Sequence, residues 1–208
     1  MIDRRSLLRL FATALATTAA PLAAHAQAEA PAVATIKAYY DTLLGVMKDA
    51  TKLGFKGRYD KLGPAIRKAF NLPLMTRLSV GPDWTKLAAD VQQRLVAAFS
   101  DMSISTYASR FDGYDGEHFE VDPKPASTTG GVIVSTKLVQ TNGDPPVQLN
   151  YLMRDGDAGW QIIDVFLQGT ISELATRRSE FSAVLRRDGP DALVKLIQSR
   201  ADALKKPA

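Results

Sequence analysis

Few side chains in this sequence could take part in catalysis, and Asp164 is the one whose neighbours favour it. It lies within GWQIIDVFLQGTIS, residues 159–172, where most nearby residues are apolar. A carboxylate in an apolar cavity can have its pKa raised into a range useful for proton transfer. With Tyr107 or Tyr151 nearby, Asp164 could act as an acid or a base on an apolar substrate. The alternative is a structural carboxylate that accepts hydrogen bonds from backbone N–H groups or an arginine.

Most enzyme classes with recognisable motifs lack their residues here. The sequence has no cysteine, and its two histidines are His25 and His118. These residues cannot supply a zinc site or a thiol nucleophile. There is also no G-x-S-x-G elbow, no Walker phosphate loop and no dinucleotide-binding glycine pattern. The sequence therefore predicts a protein that is not an enzyme and has no metal, no cofactor and no catalytic residues.

The first 26 residues have the pattern of a cleaved export signal. An arginine-rich start precedes an apolar stretch of Leu, Ala and Phe, and Ala24-His25-Ala26 forms a small-x-small exit. The pair Arg4-Arg5 is similar to a twin-arginine signal, and a general secretory signal is the alternative. We expect a signal at residues 1–26, a linker at 27–33 and a single domain at 34–208, located in the periplasm.

The charge of the chain does not favour nucleic acid as a ligand. The formal net charge is +4, and it falls to +2 without residues 1–26. A charge of this size does not by itself indicate nucleic-acid binding. Basic residues are in excess over residues 37–68 and 173–208. Such clusters are usually solvated helix faces, and the alternative is a docking surface for anionic headgroups or an acidic partner.

The spacing of apolar residues divides the chain into helices, then strands, then helices. Helical periodicity covers residues 34–50, 59–69 and 84–111, and Pro73 and Pro82 interrupt the chain between the last two. Short β-branched runs then predict four antiparallel strands, joined partly by the hairpin sequences TNGDPP and DGDAG. The strands are expected at residues 117–121, 131–140, 147–154 and 160–167, and two helices follow Ser172 and Pro190. The fold class is therefore α+β.

The last predicted strand carries apolar residues on both of its faces. Strict alternation places Ile162 and Phe166 on the face of Asp164, and Ile163 and Val165 on the other. Antiparallel strands commonly have one solvated face. Either this strand is central and helices cover both faces, or one face borders an apolar ligand. Composition leaves both alternatives open.

Three passages resemble the MlaC family of periplasmic lipid-binding proteins, also called the toluene-tolerance family, and within it the hopanoid-associated HpnM branch. The first combines FNLPLM, residues 70–75, with Trp84 and the helix at 92–99. The second is the tyrosine-rich passage at 107–119. The third passage covers residues 159–189, from GWQIIDV to Gly189.

The resemblance implies a fold and a function. The fold would be a curved antiparallel sheet of about four strands, related to the NTF2-like fold, wrapped by N- and C-terminal helices around an apolar cavity. The protein would carry a phospholipid or a hopanoid between an inner-membrane ABC transporter complex, with its lipid-binding ring protein, and an outer-membrane lipoprotein complex. Burying an acyl chain gains about 0.8 kcal/mol per CH₂, so such a cargo needs an apolar tunnel. Headgroup selectivity would be slight, because the polar end stays at the mouth.

Strand parity and helix stripes, taken with the resemblance, predict which residues line the cavity. They are Leu72, Leu74, Phe99, Tyr107, Val134, Leu149, Tyr151, Ile163, Val165 and Leu167. Two other functions compete with the lipid carrier: an NTF2-like cavity enzyme with Asp164 as its base, and a periplasmic adaptor that binds no lipid. A co-purifying lipid would favour the carrier, and a tightly packed interior would favour the adaptor.

Overall fold

The described chain begins with two helices that pack against each other. The computed structural model describes residues 30–205, so the predicted export signal and residues 27–29 of the predicted linker lie outside them. Helix α1 (Pro31–Lys48) has proline in its first turn, where no backbone N–H is needed. Residues 31–33 of the predicted linker are therefore helical. Helix α2 (Ala50–Ala69) bends at Gly54, whose φ of 58° is readily adopted by glycine.

A helix that the sequence did not predict comes next, α3 (Leu72–Val80). The prediction that Pro73 breaks the chain is wrong, because this proline lies in the first turn of α3, where its fixed φ favours a helix. Asn71 caps the helix, since its Oδ1 accepts a hydrogen bond from the backbone N–H of Leu74 at 3.0 Å. A short 3₁₀ helix (Gly81–Lys86) follows.

Three further helices complete the helical layer. Helix α4 (Ala89–Arg110) has 22 residues and is the longest in the described chain. After the strands come α5 (Glu173–Asp188) and α6 (Pro190–Lys205), separated by Gly189, whose φ is 84°. Helix α6 packs along α4, and α5 packs against α3.

The strands form one antiparallel sheet. Its elements are β1 (His118–Val121), β2 (Ala126–Thr128), β3 (Gly131–Val139), β4 (Val147–Arg154), β5 (Gln161–Leu167) and β6 (Ile171–Ser172). The spatial order is β1-β3-β4-β5-β6, and β2 pairs with the beginning of β3. The prediction of an α+β fold with an antiparallel sheet is confirmed. The four predicted strands are present, and the short strands β2 and β6 were not predicted.

One face of the sheet packs against the helices and the other is largely solvated. The cross-strand row Val134–Tyr151–Val165 lies on the helix-facing side and is buried. The opposite side exposes Lys137 and Gln148, which pair with each other across β3 and β4. The helical layer therefore covers a single side of the sheet.

Strand β5 lies near one edge of the sheet, and a bulge alters its alternation. Asp164 pairs with Leu152, whereas Ile162 pairs with the next residue of β4, so Ile163 is the extra residue of a β-bulge. Ile162 consequently joins the main hydrophobic cluster together with Val165, although strict alternation places them on opposite faces. Strict alternation is therefore wrong at this end of the strand.

The second edge of β5 is covered by short elements. Strand β6 pairs with its last residues. Near its beginning, the backbone N–H of Asn71 donates to the carbonyl of Ile162 at 2.9 Å. Phe70 forms a parallel bridge to the same residue. The alternative in which β5 is a central strand with helices on both faces is not observed, since β6 and the loop between α2 and α3 flank its second edge and the helical layer covers one side of the sheet.

Candidate functional site

A cavity lies between the helix-facing side of the sheet and helices α3, α4 and α5; we refer to it as the interior cavity. Its volume is about 220 Å³. Most of its lining side chains are apolar, and the charged ones come only from α4 and α5. The lining residues are Phe70, Met75, Ser103, Thr106, Tyr107, Arg110, Phe111, Leu138, Val147, Leu149, Val165, Leu167, Glu173, Leu174 and Arg177.

Strands β3, β4 and β5 supply one wall of the interior cavity. Leu149 is paired with Leu167, and Val147 with Leu138. Residues directly opposite each other in an antiparallel sheet lie on the same face with their side chains in reach. Val165 continues the surface two residues before Leu167 along β5. The wall is therefore continuous and apolar.

The helices supply an aromatic wall opposite the sheet. Tyr107 and Phe111 lie one turn apart on α4, and their rings stack with centroids 5.7 Å apart. Phe70 meets Tyr107 edge-on at a centroid distance of 5.6 Å. Met75 of α3 and Leu174 of α5 complete the lining. Such ring pairs are rigid, so this side of the cavity has a defined shape.

Three charged side chains border the interior cavity, Arg110, Glu173 and Arg177; we call them the charged rim. The Nη2 atom of Arg177 lies 3.2 Å from Oε2 of Glu173, one helical turn away. Burial lowers the pKa of Arg177, and the Glu173 carboxylate opposes this shift. The guanidinium remains charged at neutral pH, because arginine titrates far above it. Arg110, the last residue of α4, is exposed, so the cavity reaches the surface beside it.

A cluster of buried tyrosines lies behind the cavity wall. Tyr40 Oη donates to Tyr151 Oη at 3.0 Å and shares a hydrogen bond of 2.6 Å with Thr136 Oγ1. The Tyr39 hydroxyl is buried and makes no hydrogen bond of normal length among the described residues, and its polar neighbour is the Tyr107 hydroxyl. Burial raises the pKa of all these tyrosines, and it raises the pKa of Tyr107 to about 12. Their hydroxyls therefore stay protonated at neutral pH and act as hydrogen-bonding groups.

Asp164 does not line the interior cavity. It lies on the opposite side of β5 from Val165, where it pairs with Leu152. Its Oδ1 accepts hydrogen bonds from the backbone N–H groups of Val165 and Leu174, at 2.7 and 3.1 Å. Ser172 Oγ donates to Oδ2 at 2.6 Å. The carboxylate therefore anchors the N-terminus of α5, as the structural alternative for this residue predicts.

The structure brings four of the ten predicted lining residues together on the cavity wall: Tyr107, Leu149, Val165 and Leu167. The other six lie elsewhere. Leu72, Phe99, Val134 and Tyr151 are buried in the main hydrophobic cluster, outside the lining. Ile163 is buried outside that cluster because of the bulge. Leu74 is half-buried beside the turn between β4 and β5.

Sequence reasoning missed most of the remaining lining residues for two reasons. Met75 belongs to the unpredicted helix α3, so no periodicity placed it. Leu138 and Val147 lie on the apolar strand faces that were predicted, but close to the hairpin, where a cavity was not expected. The charged rim could not be predicted, because Arg110 and Arg177 are far apart in sequence and nothing local indicates that they meet.

A second hollow lies on the surface between α1, α2 and the turn between β4 and β5. Its volume of about 620 Å³ exceeds that of the interior cavity. However, Pro31, Ala34 and Ala38 on its wall are exposed, so it is an open groove. An apolar ligand gains most where water is excluded on all sides. The interior cavity is therefore the better candidate site despite its smaller volume.

Two further observations concern the described residues. No helix within residues 30–205 combines the length and the apolar character needed to cross a membrane. Over the same residues, no group of three or more His, Cys, Asp or Glu side chains is arranged to hold a metal ion. The arrangement that remains is an apolar cavity with a charged rim.

Comparison with known proteins identifies the family. The MlaC protein family matches residues 37–199. No curated protein matches the chain. A solved structure of a phospholipid-binding protein from Ralstonia solanacearum, in complex with a phospholipid, superposes with a TM-score of 0.73 at 24% identity. The match covers 85% of this chain and 100% of that one, and it shows a shared fold. The chain belongs to the MlaC family, and the resemblance found in its sequence is confirmed at that level.

Proposed function

We propose that this protein is a lipid carrier that holds acyl chains in the interior cavity. The observation that carries the proposal is an apolar cavity between sheet and helices whose charged groups are confined to α4 and α5. Membership of the MlaC family and the phospholipid in the Ralstonia solanacearum structure support it. An amphipathic lipid fits this arrangement, with its chains against the sheet and its headgroup beside the charged rim.

The size of the cavity implies that cargo loading widens it. An engineered cavity of about 150 Å³ holds one benzene molecule, so 220 Å³ accommodates roughly nine carbon atoms by proportion. This is less than one membrane acyl chain. Each further CH₂ that enters gains about 0.8 kcal/mol, which can offset the cost of moving α4 or α5 away from the sheet. The lipid-bound state is therefore wider than the state described above.

The same physics favours a shuttle over a free exchange of cargo with water. A carrier that buries a long chain loses it slowly, because every exposed CH₂ costs free energy. Release then requires a partner that deforms the cavity. We propose that the partners are an inner-membrane ABC transporter complex, with its lipid-binding ring protein, and an outer-membrane lipoprotein complex. The place of action would be the periplasm, reached through the predicted signal at residues 1–26.

The cargo is proposed to be a phospholipid, and a hopanoid is the second candidate. The phospholipid is favoured because a related fold has been solved with one. The hopanoid candidate depends on the HpnM branch of the family, to which the sequence is similar. A rigid polycyclic cargo would need a broader cavity than a flexible chain, so the two cargoes predict different degrees of widening.

The competing enzyme hypothesis has little support in the site. Its proposed base, Asp164, faces away from the interior cavity and is fully engaged with the N-terminus of α5. The buried tyrosines stay protonated at neutral pH, and the carboxylate in the cavity lining, Glu173, is paired with Arg177. A role in binding is the simpler interpretation of this cavity.

The proposal is tested by native mass spectrometry of the exported protein purified without detergent, followed by extraction and identification of the bound molecules. A lipid at about one per chain is expected. The masses of the extracted species distinguish phospholipid from hopanoid. A protein that carries no lipid, and takes none from vesicles of phosphatidylglycerol and phosphatidylethanolamine, would contradict the proposal.

A further inference from the structure

We propose that Arg110 and Arg177 bind the anionic phosphate of the cargo lipid at the charged rim, so that the protein prefers phospholipids over neutral lipids with the same chains. This inference rests on the proposed function and assigns to it the residues that bind the phosphate of the cargo. It departs from the expectation of slight headgroup selectivity. It is based on how few hydrogen-bond acceptors and carboxylates contact the guanidinium groups of Arg110 and Arg177 beside the apolar cavity.

Arg177 is partly buried and has few partners for its donors. Its side chain is 22% exposed, and its carboxylate partner is Glu173, which it contacts through Nη2. Its Nη1 contacts only the sulfur of Met102, at 3.5 Å, and the guanidinium lies 5.6 Å from the centre of the Phe99 ring. A guanidinium carries five N–H donors, and buried donors are normally satisfied. Arg177 therefore has spare donors next to the cavity.

Arg110 adds a second cation without a carboxylate of its own. It forms no salt bridge with any residue in the described part of the chain, although it lies at the cavity wall. It is close enough to Arg177 for the two positive charges to repel, which contributes to the lowered pKa of Arg177. An anion beside two like charges stabilises both of them.

The charges of the rim leave one positive charge to be matched. Glu173 neutralises one of the two arginines. Arg200, which also repels Arg177, is already paired with Glu180. The Ser103 hydroxyl lines the same cavity and offers a further donor. A phosphodiester carries one negative charge and accepts bidentate hydrogen bonds from arginine. It therefore matches both the charge and the donors of the site.

The arrangement also explains why the anion would be part of a lipid. Leu174 separates Glu173 from Arg177 along α5 and lines the apolar wall, as does Phe111 next to Arg110. A molecule that contacts both guanidinium groups therefore also contacts the apolar residues next to each of them. A phosphate with attached acyl chains fills both parts of this site, whereas inorganic phosphate fills one.

The test compares three probes on the mature full chain: phosphatidylglycerol in vesicles, diacylglycerol with the same acyl chains in neutral vesicles, and inorganic phosphate alone. We expect uptake of the phospholipid to exceed that of diacylglycerol by about tenfold, because charge-assisted hydrogen bonds are worth this much or more. Arg110→Gln and Arg177→Met should remove this preference, so that the ratio of phospholipid uptake to diacylglycerol uptake falls towards one. Methionine keeps apolar contact with Phe99.

Arg187→Gln is the matched control, since Arg187 is exposed and pairs only with its neighbour Asp188. It should retain the preference of the parent protein. Arg110→Gln changes an exposed residue and keeps the test valid even where Arg177→Met fails to fold. Circular dichroism before the uptake assay identifies such a failure.

The outcomes separate the inference from the proposed function. Equal uptake of phospholipid and diacylglycerol by the parent protein overturns the inference and leaves the carrier function intact. Uptake of neither lipid contradicts the carrier function itself. Saturable binding of inorganic phosphate that is lost in Arg177→Met, without discrimination between the lipids, assigns the rim to free phosphate and also overturns the inference.

Discussion

Ser172 Oγ donates a hydrogen bond of 2.6 Å to Oδ2 of Asp164, and this contact ties the start of α5 to strand β5. The same Ser172 Oγ accepts from the backbone N–H of Ala175 at 2.9 Å. Asp164 Oδ1 accepts from the N–H of Leu174. Helix N-termini have unpaired N–H groups and favour negative charge. A carboxylate within an apolar strand therefore has a structural reason to be there.

Replacing this carboxylate tests its role. Asp164→Asn should lower the free energy of unfolding by about 1–3 kcal/mol, because it weakens the bonds to the start of α5 and replaces one buried acceptor by a donor. Urea denaturation measures the change. Lipid bound per folded molecule should stay the same. Asp157→Asn, in the exposed turn before β5, is the control and should have little effect. Unchanged stability with lost turnover of a bound lipid would favour the enzyme hypothesis instead.

Two adjacent tyrosines should respond differently to loss of their hydroxyls. Tyr40→Phe removes the bonds to Thr136 and Tyr151, which should cost about 1–2 kcal/mol, while Thr136 Oγ1 keeps its bond to the carbonyl of Leu149. Tyr39→Phe removes a buried hydroxyl that interacts with Tyr107 but makes no hydrogen bond of normal length among the described residues, so its effect should be within about 0.5 kcal/mol of zero or stabilising. Thermal and urea unfolding compare the two variants. A larger loss in Tyr39→Phe would show that its hydroxyl has a partner in solution.

The buried tyrosines also predict how stability depends on pH. Burial raises the pKa of Tyr39, Tyr40 and Tyr151, and it raises the pKa of Tyr107 to about 12, against an ordinary value of 10.0. Above pH 10 the unfolded chain loses protons that the folded chain keeps. This contribution to stability is therefore complete below pH 10 and is lost as the pH rises towards 12.

Urea unfolding at about pH 8 and about pH 11, together with ultraviolet absorbance of tyrosinate, checks this prediction. The free energy of unfolding should be lower at the higher pH. Buried tyrosines should ionise only as the protein unfolds. Ionisation of all six tyrosines near their ordinary pKa while the circular dichroism spectrum stays native would contradict the burial of the cluster.

Neighbouring glycines at the start of β3 provide another paired test. A Cβ on Gly131 would lie 2.0 Å from the carbonyl oxygen of Met153, and its φ is +144°. Gly131→Ala should therefore destabilise the protein by about 1–3 kcal/mol through displacement of β3 from β4. In Gly130→Ala the added Cβ would meet Leu152 Cδ2 at 3.8 Å and Arg154 Nη2 at 4.0 Å, both ordinary contacts of flexible side chains, so the change should be small. Equal stability of the two variants in urea unfolding would argue against this strand register.

Much of the fold could be predicted from the sequence because its signals are local. The hairpin sequences and β-branched runs predicted the four longer strands, and amphipathic periodicity predicted most of the helices. Helix α3 is not evident from the sequence because Pro73 is typical of a chain break as well as of a helix first turn. Strands β2 and β6 have three and two residues, too few for a pattern of alternation. The low helix propensity of glycine obscured the first part of α2.

The site was harder to predict than the fold, because a cavity depends on how elements are placed relative to each other. Leu149 and Val134 both face the helices, yet only Leu149 borders the cavity. The alternation of side chains along a strand therefore does not distinguish cavity-lining residues from residues of the packed core. The bulge at Ile163 reverses parity within one strand, and nothing in the local sequence announces it. The charged rim joins Arg110 to Arg177, which only the packing of α4 and α5 brings together.

The account is tested most directly by filling the interior cavity from its sheet wall. Leu149 lines the cavity, whereas its neighbour Gln148 points to the solvated face. Leu149→Trp, alone or with Val165→Trp, and the control Gln148→Trp can be purified from the periplasm and weighed by native mass spectrometry. We expect about tenfold less bound lipid in Leu149→Trp, since loss of two buried CH₂ groups has this effect, and no change in Gln148→Trp. An unchanged lipid load in folded Leu149→Trp with Val165→Trp would contradict the placement of acyl chains in this cavity.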